Sequence, residues 1–391
     1  MGMYLNIGNA GFQSIRKGLY VDKSGLISFI NRTLGTEDKL TCVSRPRRFG
    51  KSFAAKMLCA YYDKSCDSKE LFADLEIAED ITFEEHLNKY NVLYLDITWF
   101  IATVKDVKDT VSYLQEQVIE ELCREYPSVK EEYSLPIVIA KIAEIKGQKF
   151  IIIIDEWDAL FREAKSDIDL QKEYIQLLRG LFKSSQTDRM IEAAYMTGIL
   201  PIKKYGTQSA LTDFREYTML QPQMLARYVG FTEDEVQKLC QDYDLDFEEA
   251  KKWYDGYSFR RVKSVYSPNS VVRAVKNGEF GDYWTETETY ESLKSYISLN
   301  EDGLKDAIIS MLGGIRYKIN TRTFQNDMSI INNKDDVLTL LVHLGYLAYD
   351  LEKREVYIPN QEVADEFKNA VEYSGWQGIL IKDILKKNKN M

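Results

Sequence analysis

Apolar positions along the first half of the chain follow two alternating rhythms. Short β-branched runs, KLTCVS (39–44), NVLYLDIT (91–98), KFIIIIDEWD (149–158) and IEAAYMTGI (191–199), predict buried strands. Between them lie KSFAAKMLCAYYDKS (51–65), DVKDTVSYLQEQVIEELCREY (106–126), SLPIVIAKIAEIKG (134–147) and DLQKEYIQLLRGLFKSS (169–185). Their apolar residues recur at three- and four-residue spacing, and the third opens on Ser-x-Pro and closes on glycine, as helices do. Strand and helix taking turns in this way predict an α/β fold, a parallel sheet with helices on both faces. Beyond Pro201 the rhythm changes. Residues 206–290 read as mostly helical around an aromatic loop, WYDGYSFRRVKSVYSP (253–268). From about residue 300, three helical patterns surround GYLAYDLEKREVYIPN (345–360), a hairpin expected to turn at Glu352 to Arg354. The expected organisation is a sheet domain over 1–205, a helical lid over 206–295 and a small winged-helix-like module over 296–391. The last residues, KKNKNM, read as a frayed tail.

Composition narrows this picture without redirecting it. A chain of 391 residues suggests two or three domains, and 45% apolar with 29% charged residues is ordinary for a globular protein. Five scattered cysteines with no C-x-x-C spacing and only two histidines argue against a disulfide framework or a structural zinc site. The start, MGMYLNIGNAGF, lacks a basic region followed by an apolar run, and no apolar stretch is long enough to span a bilayer. A cytoplasmic location and no membrane role are the expectation. Charge is unevenly spread: residues 1–60 hold ten Lys/Arg against three Asp/Glu in a chain whose net charge is −10. A basic end on an acidic molecule suits a small phosphate-bearing ligand better than long nucleic acid. DNA stays open as a less favoured ligand.

The basic end contains SRPRRFGKSF, Ser44 to Phe53, which reads as a phosphate loop of the G-x-x-x-x-G-K-[ST] kind with Arg45 at the first glycine position. Such a loop needs converging backbone N–H groups, a helix N-terminus behind them, a lysine for the outer phosphates and a hydroxyl for magnesium. Gly50, Lys51 and Ser52 hold those demanding positions, and Arg45, Pro46, Arg47, Arg48, Phe49 and Phe53 complete the candidate nucleotide-binding stretch. FIIIIDEWD supplies the second half. Asp155, at the end of a buried strand, is placed to hold magnesium together with Ser52, and Glu156 to orient or deprotonate a water. In ATPases with a glutamate base, the next strand usually inserts between the acidic strand and the loop strand. Thr197, near the end of IEAAYMTGI, is then a candidate sensor of the γ-phosphate.

At these residues the chain resembles the predicted AAA-ATPase-like family of bacterial proteins, related to archaeal and STAND-type P-loop ATPases. YVDKSGLI (20–27), SRPRRFGKS (44–52), IIIIDEWDAL (151–160), MTGILPI (196–202), SALTDFREYTML (209–220), WYDGYSF (253–259), VYSPNSVV (265–272) and YIPNQEV (357–363) carry the resemblance over nearly the whole chain. It implies a P-loop NTPase fold of the AAA+/ASCE kind and accounts for Arg45 as a lineage feature. Members often continue into a C-terminal PD-(D/E)xK nuclease-like domain. Here the E-x-K of Glu144 to Lys146 falls in a helical pattern and reads as a solvated helix end, so nuclease activity is not expected. Asp22 and Lys23 read as structural caps, with closure over the nucleotide as the sharper alternative. Tyr254 to Tyr257 read either as a lid contact or as an aromatic turn under an interface. Arg179 and Arg215 are arginine-finger candidates.

The leading functional expectation is an ATP-binding, magnesium-dependent ATP-hydrolysing switch that reports nucleotide state, ATP or ADP, to a protein partner or to a second copy of itself. The rival is a non-enzymatic adaptor that keeps nucleotide as a structural ligand, or a winged-helix module for DNA or protein. Segment 300–391 carries twelve Lys/Arg and fourteen Asp/Glu, so it lacks the basic face that DNA contact needs. A small-molecule kinase is a third class, disfavoured by Glu156 directly after Asp155.

Overall fold

The computed structural model describes residues 2–130, 133–202, 204–205, 208–209, 211–284, 293, 296–297, 303–324 and 333–373. They form two compact units. The first comprises the residues up to Arg45 together with Lys51–Thr218, and the second comprises Pro46–Gly50 with the described residues from Met219 onward. The tail KKNKNM lies outside the described residues.

The first unit is built on a five-stranded sheet of β1 (Leu40–Ser44), β2 (Asn91–Asp96), β3 (Phe150–Asp155), β4 (Ile191–Gly198) and β5 (Arg215–Tyr217) in the order β2-β3-β4-β1-β5. All the pairings are parallel. Every residue of β1 and β3 is buried, which is why these strands read as continuous apolar runs rather than alternating ones. Packed against the sheet are the helices Lys51–Tyr62, Thr110–Glu125, Leu135–Lys146 and Ile168–Phe182. Gly147, at φ 62°, ends the third of these in the left-handed conformation that glycine adopts at little cost.

Two elements differ from the sequence expectation, each for a local reason. NVLYLDIT does not run as strand to Thr98. The Asp96 side chain accepts from the backbone N–H of Thr98 and Trp99 and starts a helix at Ile97, so the strand stops at its N-cap. The region after residue 206 is not helical throughout: Arg215–Tyr217 adds the fifth strand, three residues long, at the edge beside β1. A strand so short shows no measurable period, and its pairing partner decides it.

In the second unit the helices Glu233–Asp242, Phe247–Tyr254 and Pro268–Asn277 accompany a small antiparallel pair, Phe231–Thr232 with Val265–Tyr266. The helices Leu304–Leu312, Lys334–Leu344 and Gln361–Tyr373 accompany a three-stranded antiparallel sheet. Its hairpin pairs Ala348–Asp350 with Glu355–Tyr357, turning through residues 351–354 as the pattern predicts. Tyr317–Lys318 adds the third strand. No helix among the described residues is long and apolar enough to cross a membrane.

Candidate nucleotide site

The parallel register brings the chemistry of the first unit to one edge of the sheet. Asp96 lies beside Asp155, Val43 beside Thr197 and Ser44 beside Gly198, so β1, β3 and β4 end together. Open α/β sheets bind ligands outside the carboxyl ends of their strands, where connections part to either side.

After β1 the backbone takes a positive φ at Arg48 (66°) and at Gly50 (87°), with the residues between and beside them on the ordinary side. Alternation of this kind turns successive N–H groups toward one concave face, the backbone shape found in anion-binding nests. A Cβ at Gly50 would meet nothing within 4 Å, so the demand for glycine there is conformational rather than steric. Arg47, Arg48 and Phe53 are exposed, whereas Pro46 and Phe49 are buried. Within the second unit the Phe49 ring meets Tyr257 edge-on at 5.4 Å.

Arg45 departs from its expected place among the phosphate contacts. Its guanidinium is fully enclosed, and Nη1 donates to the carbonyls of Ser44 (2.8 Å) and Tyr217 (3.0 Å). Its backbone N–H continues the ladder to the Gly198 carbonyl. Burial pushes its pKa down to about 10, still high enough to keep the charge. The residue ties the base of the loop to the edge strand β5, a structural task that glycine at this position could not perform.

Lys51 is buried, and its Nζ lies 3.2 Å from Glu156 Oε1. Asp155, buried at the end of β3, accepts from Thr197 Oγ1, from Tyr94 OH at 3.3 Å and from the Ser52 hydroxyl. Burial raises the Asp155 pKa, and the hydrogen bonds from Thr197 and Ser52 pull it back toward the ionised form. A carboxylate and a hydroxyl sharing one hydrogen bond are the oxygen donors that a hard cation such as magnesium takes in P-loop proteins, so the donor set fits that ion. Glu156 adopts φ 51°, a conformation a β-carbon makes costly, and its N–H points at Thr197 Oγ1 (3.3 Å). Lys51, Ser52, Asp155, Glu156 and Thr197, proposed separately from sequence, are thus joined by direct contacts.

Sequence reasoning missed two neighbours. Arg162 Nη2 lies 2.5 Å from Glu156 Oε2, and Arg162 Nε lies 3.3 Å from Asp158 Oδ2. The Asp158 carboxylate is buried and accepts from the backbone N–H groups of Ile199 (3.2 Å) and Leu200 (2.8 Å), just past β4. The available signal was the i,i+4 spacing of Asp158 and Arg162. Gly198 follows from the same crowding: a Cβ there would sit 2.6 Å from the Trp157 ring and 2.7 Å from Asp158 Oδ1.

The remaining candidates sit apart from this cluster. Asp22 accepts from the N–H of Ser24 and of Glu76, each at 2.7 Å, the behaviour of a cap. Lys23 lies in the same turn, its N–H directed at Tyr20 OH. Arg215 pairs with Asp38, and Arg179 lies on the helix Ile168–Phe182. Glu144 and Lys146 are exposed on the last turn of the helix Leu135–Lys146. In the second unit, Tyr257 OH donates to the Gly345 carbonyl (2.6 Å) and Tyr357 OH to the Gly256 carbonyl (2.9 Å). WYDGY and YIPN are therefore parts of one packed turn.

A parallel sheet with β4 inserted between the acidic strand and the loop strand, and a lysine-bearing helix after the loop, define a P-loop NTPase of the α/β class. The family described as Predicted AAA-ATPase matches residues 6–207, just over half of the sequence. The chain belongs to that AAA-ATPase-like family, and a nucleotide-binding ATPase is the broad class this membership assigns. No curated protein matches. Among solved structures, ORC2 of Aeropyrum pernix in ADPNP–ADP complexes is 12% identical, covering 91% of this chain and 95% of its own, at TM-score 0.32. PCH-2 of C. elegans is 13% identical, covering 74% and 68%, at TM-score 0.29. Drosophila ORC bound to GC-rich DNA and Cdc6 is 9% identical, covering 89% and 94%, at TM-score 0.24. Likenesses this low carry no argument about this chain.

Proposed function

We propose that this protein binds ATP with magnesium and hydrolyses it, using the nucleotide state as a switch. The observation that carries the reading is the contact network of Lys51, Ser52, Asp155, Glu156 and Thr197 at the ends of three adjacent strands. Lys51 and the loop amides hold the outer phosphates, with the exposed Arg47 and Arg48 adding positive charge at the loop. Ser52 and Asp155 hold magnesium, which when bound neutralises charge developing on the phosphates. Glu156 takes the proton as a water oxygen bonds to the γ-phosphorus. The bond from that phosphorus to the β–γ bridging oxygen breaks, ADP keeps the electron pair, and inorganic phosphate and a proton are released. Thr197 sits where the loss of the γ-phosphate is sensed. The switch reading draws on Phe49: a loop residue packed on Tyr257 makes loop shape matter to the aromatic turn of the second unit. The receiver of that signal is a protein partner or a second copy of the chain.

Calorimetry and thermal unfolding test the binding step. ATP with magnesium at about a hundred times its Kd adds roughly 2.7 kcal/mol of stability. Lys51→Ala abolishes that gain with the circular dichroism spectrum unchanged, and Glu156→Gln keeps binding but loses turnover. Well-folded protein that binds neither ATP nor ADP refutes the reading.

A further inference from the structure

Glu156 is held from both sides. Oε1 faces Lys51 Nζ at 3.2 Å, and Oε2 faces Arg162 Nη2 at 2.5 Å. Arg162 in turn is braced by Asp158, whose carboxylate is pinned by the N–H groups of Ile199 and Leu200. The order of parts is a fixed backbone, a buried carboxylate, a guanidinium and then the base. Of the four side chains, Asp158 is 1% exposed, Lys51 3%, Arg162 11% and Glu156 18%, so solvent screens these contacts little.

The two cations on Glu156 are not equivalent. Lys51 follows the phosphate loop directly, and an incoming triphosphate competes for its ammonium with far more negative charge than one carboxylate offers. When Lys51 turns to phosphate, Oε1 loses that contact, and a glutamate with three rotatable bonds depends the more on what holds Oε2. Arg162 does not face that competition. It lies six residues after Glu156, on the helix Ala159–Glu163, and it also pairs with the buried Asp158.

We propose that Arg162 is the positioning residue of the hydrolytic step: braced on Asp158, it keeps Oε2 of Glu156 in place after Lys51 leaves, so that Oε1 is the atom presented to water. The inference rests on the ATP-hydrolysis reading above. It assigns different work to the two carboxylate oxygens, one anchored and one reactive. It also explains why Asp158 stands three residues after Asp155 without entering the magnesium set: its task is to hold the arginine.

The test uses the full chain with Arg162→Ala, Arg162→Gln and, as a charge-keeping control, Arg162→Lys. Magnesium-dependent turnover, ATP binding by calorimetry and the melting temperature are measured on each. A mispositioned group costs on the order of a hundredfold in rate. The expected result is therefore a kcat reduced about 10- to 100-fold in the alanine and glutamine variants, with ATP affinity within about threefold of wild type. Arg162→Lys recovers part of the rate, and guanidinium ion added to Arg162→Ala recovers it several-fold, which a purely structural role would not allow. If Arg162→Ala does not fold, Arg162→Gln, of similar length, carries the comparison. A kcat unchanged in Arg162→Gln overturns the role of Arg162 and leaves the hydrolysis reading standing. Parallel loss of turnover, ATP binding and melting temperature without guanidinium rescue overturns it too, leaving a structural ion pair. A wild type that binds ATP and shows no turnover removes the hydrolysis reading and this role together.

Discussion

Replacing Asp158 by alanine tests the brace on which the base of this site depends. The side chain accepts from the backbone N–H groups of Ile199 and Leu200 and forms an ion pair with Arg162, whose Nε lies 3.3 Å away. A buried backbone donor left unpaired costs about 1–3 kcal/mol, and breaking a buried ion pair by removing one partner costs about 3–5 kcal/mol. These terms overlap, because water entering the space left by the carboxylate partly serves both backbone donors and the guanidinium. We therefore expect about 3–5 kcal/mol for Asp158→Ala in total. Asp158→Asn keeps an amide oxygen for the backbone donors and loses only the charge opposite Arg162, so about 1–2 kcal/mol is expected. The assay is amide hydrogen exchange of the peptide spanning β4 and Leu200, which reads local opening without requiring the two units to unfold together. At 1.36 kcal/mol per factor of ten, even 3 kcal/mol speeds exchange at Ile199 and Leu200 more than a hundredfold where opening limits it. The asparagine variant should exchange about 5- to 30-fold faster than wild type. Exchange in Asp158→Ala within about threefold of wild type would refute the reasoning, since it would mean that the carboxylate holds nothing the strand end needs.

Two further outcomes follow from the second unit. Gly256 adopts φ 123°, and a Cβ there would sit 2.0 Å from the Pro359 carbonyl oxygen, a backbone atom that cannot swing aside. Gly256→Ala should therefore lower the melting temperature of the second unit by several degrees or prevent its folding, and an unchanged thermal profile would count against the packed-turn account of WYDGY and YIPN. Glu362 is fully buried, accepting from the N–H groups of Tyr283 (2.8 Å) and Trp284 (2.9 Å) and from Ser270 Oγ (2.9 Å), yet burial lifts its pKa to about 8 despite those bonds. The folded state then holds its proton more tightly than the unfolded chain, whose glutamate titrates near 4.3. Stability is complete below that value and falls as pH rises toward 8, by up to a few kcal/mol. Glu362→Gln, whose amide oxygen still accepts from both N–H groups, should flatten the pH dependence, as urea midpoints between pH 5 and 9 would reveal.

Much of the first unit can be read from the residue order because its signals are local. Four continuous apolar strands, the helices between them, the loop end with Lys51 and Ser52 and the acid pair Asp155–Glu156 are each contained in one short stretch of chain. The place of β4 is legible too, once an acidic strand and a loop strand imply an inserted neighbour, and β4 does lie between β3 and β1. What the residue order leaves open is where a long side chain goes when several partners compete for it. Arg45 belongs to the loop by position, but its guanidinium reaches the carbonyls of Ser44 and Tyr217 because β1 runs beside β5. Arg162 becomes part of the site only because β4 brings Ile199 and Leu200 against Asp158, which then holds the arginine over Glu156. The grouping of Pro46–Gly50 with the second unit is of the same kind, since nothing in RPRRFG announces that Phe49 will pack on Tyr257, some two hundred residues later. Periodicity and motif chemistry act between near neighbours in the chain and are fully specified there. Register, edge pairing and the choice among ion-pair partners are decided by the free energy of the whole packed arrangement, and only the folded molecule computes that sum.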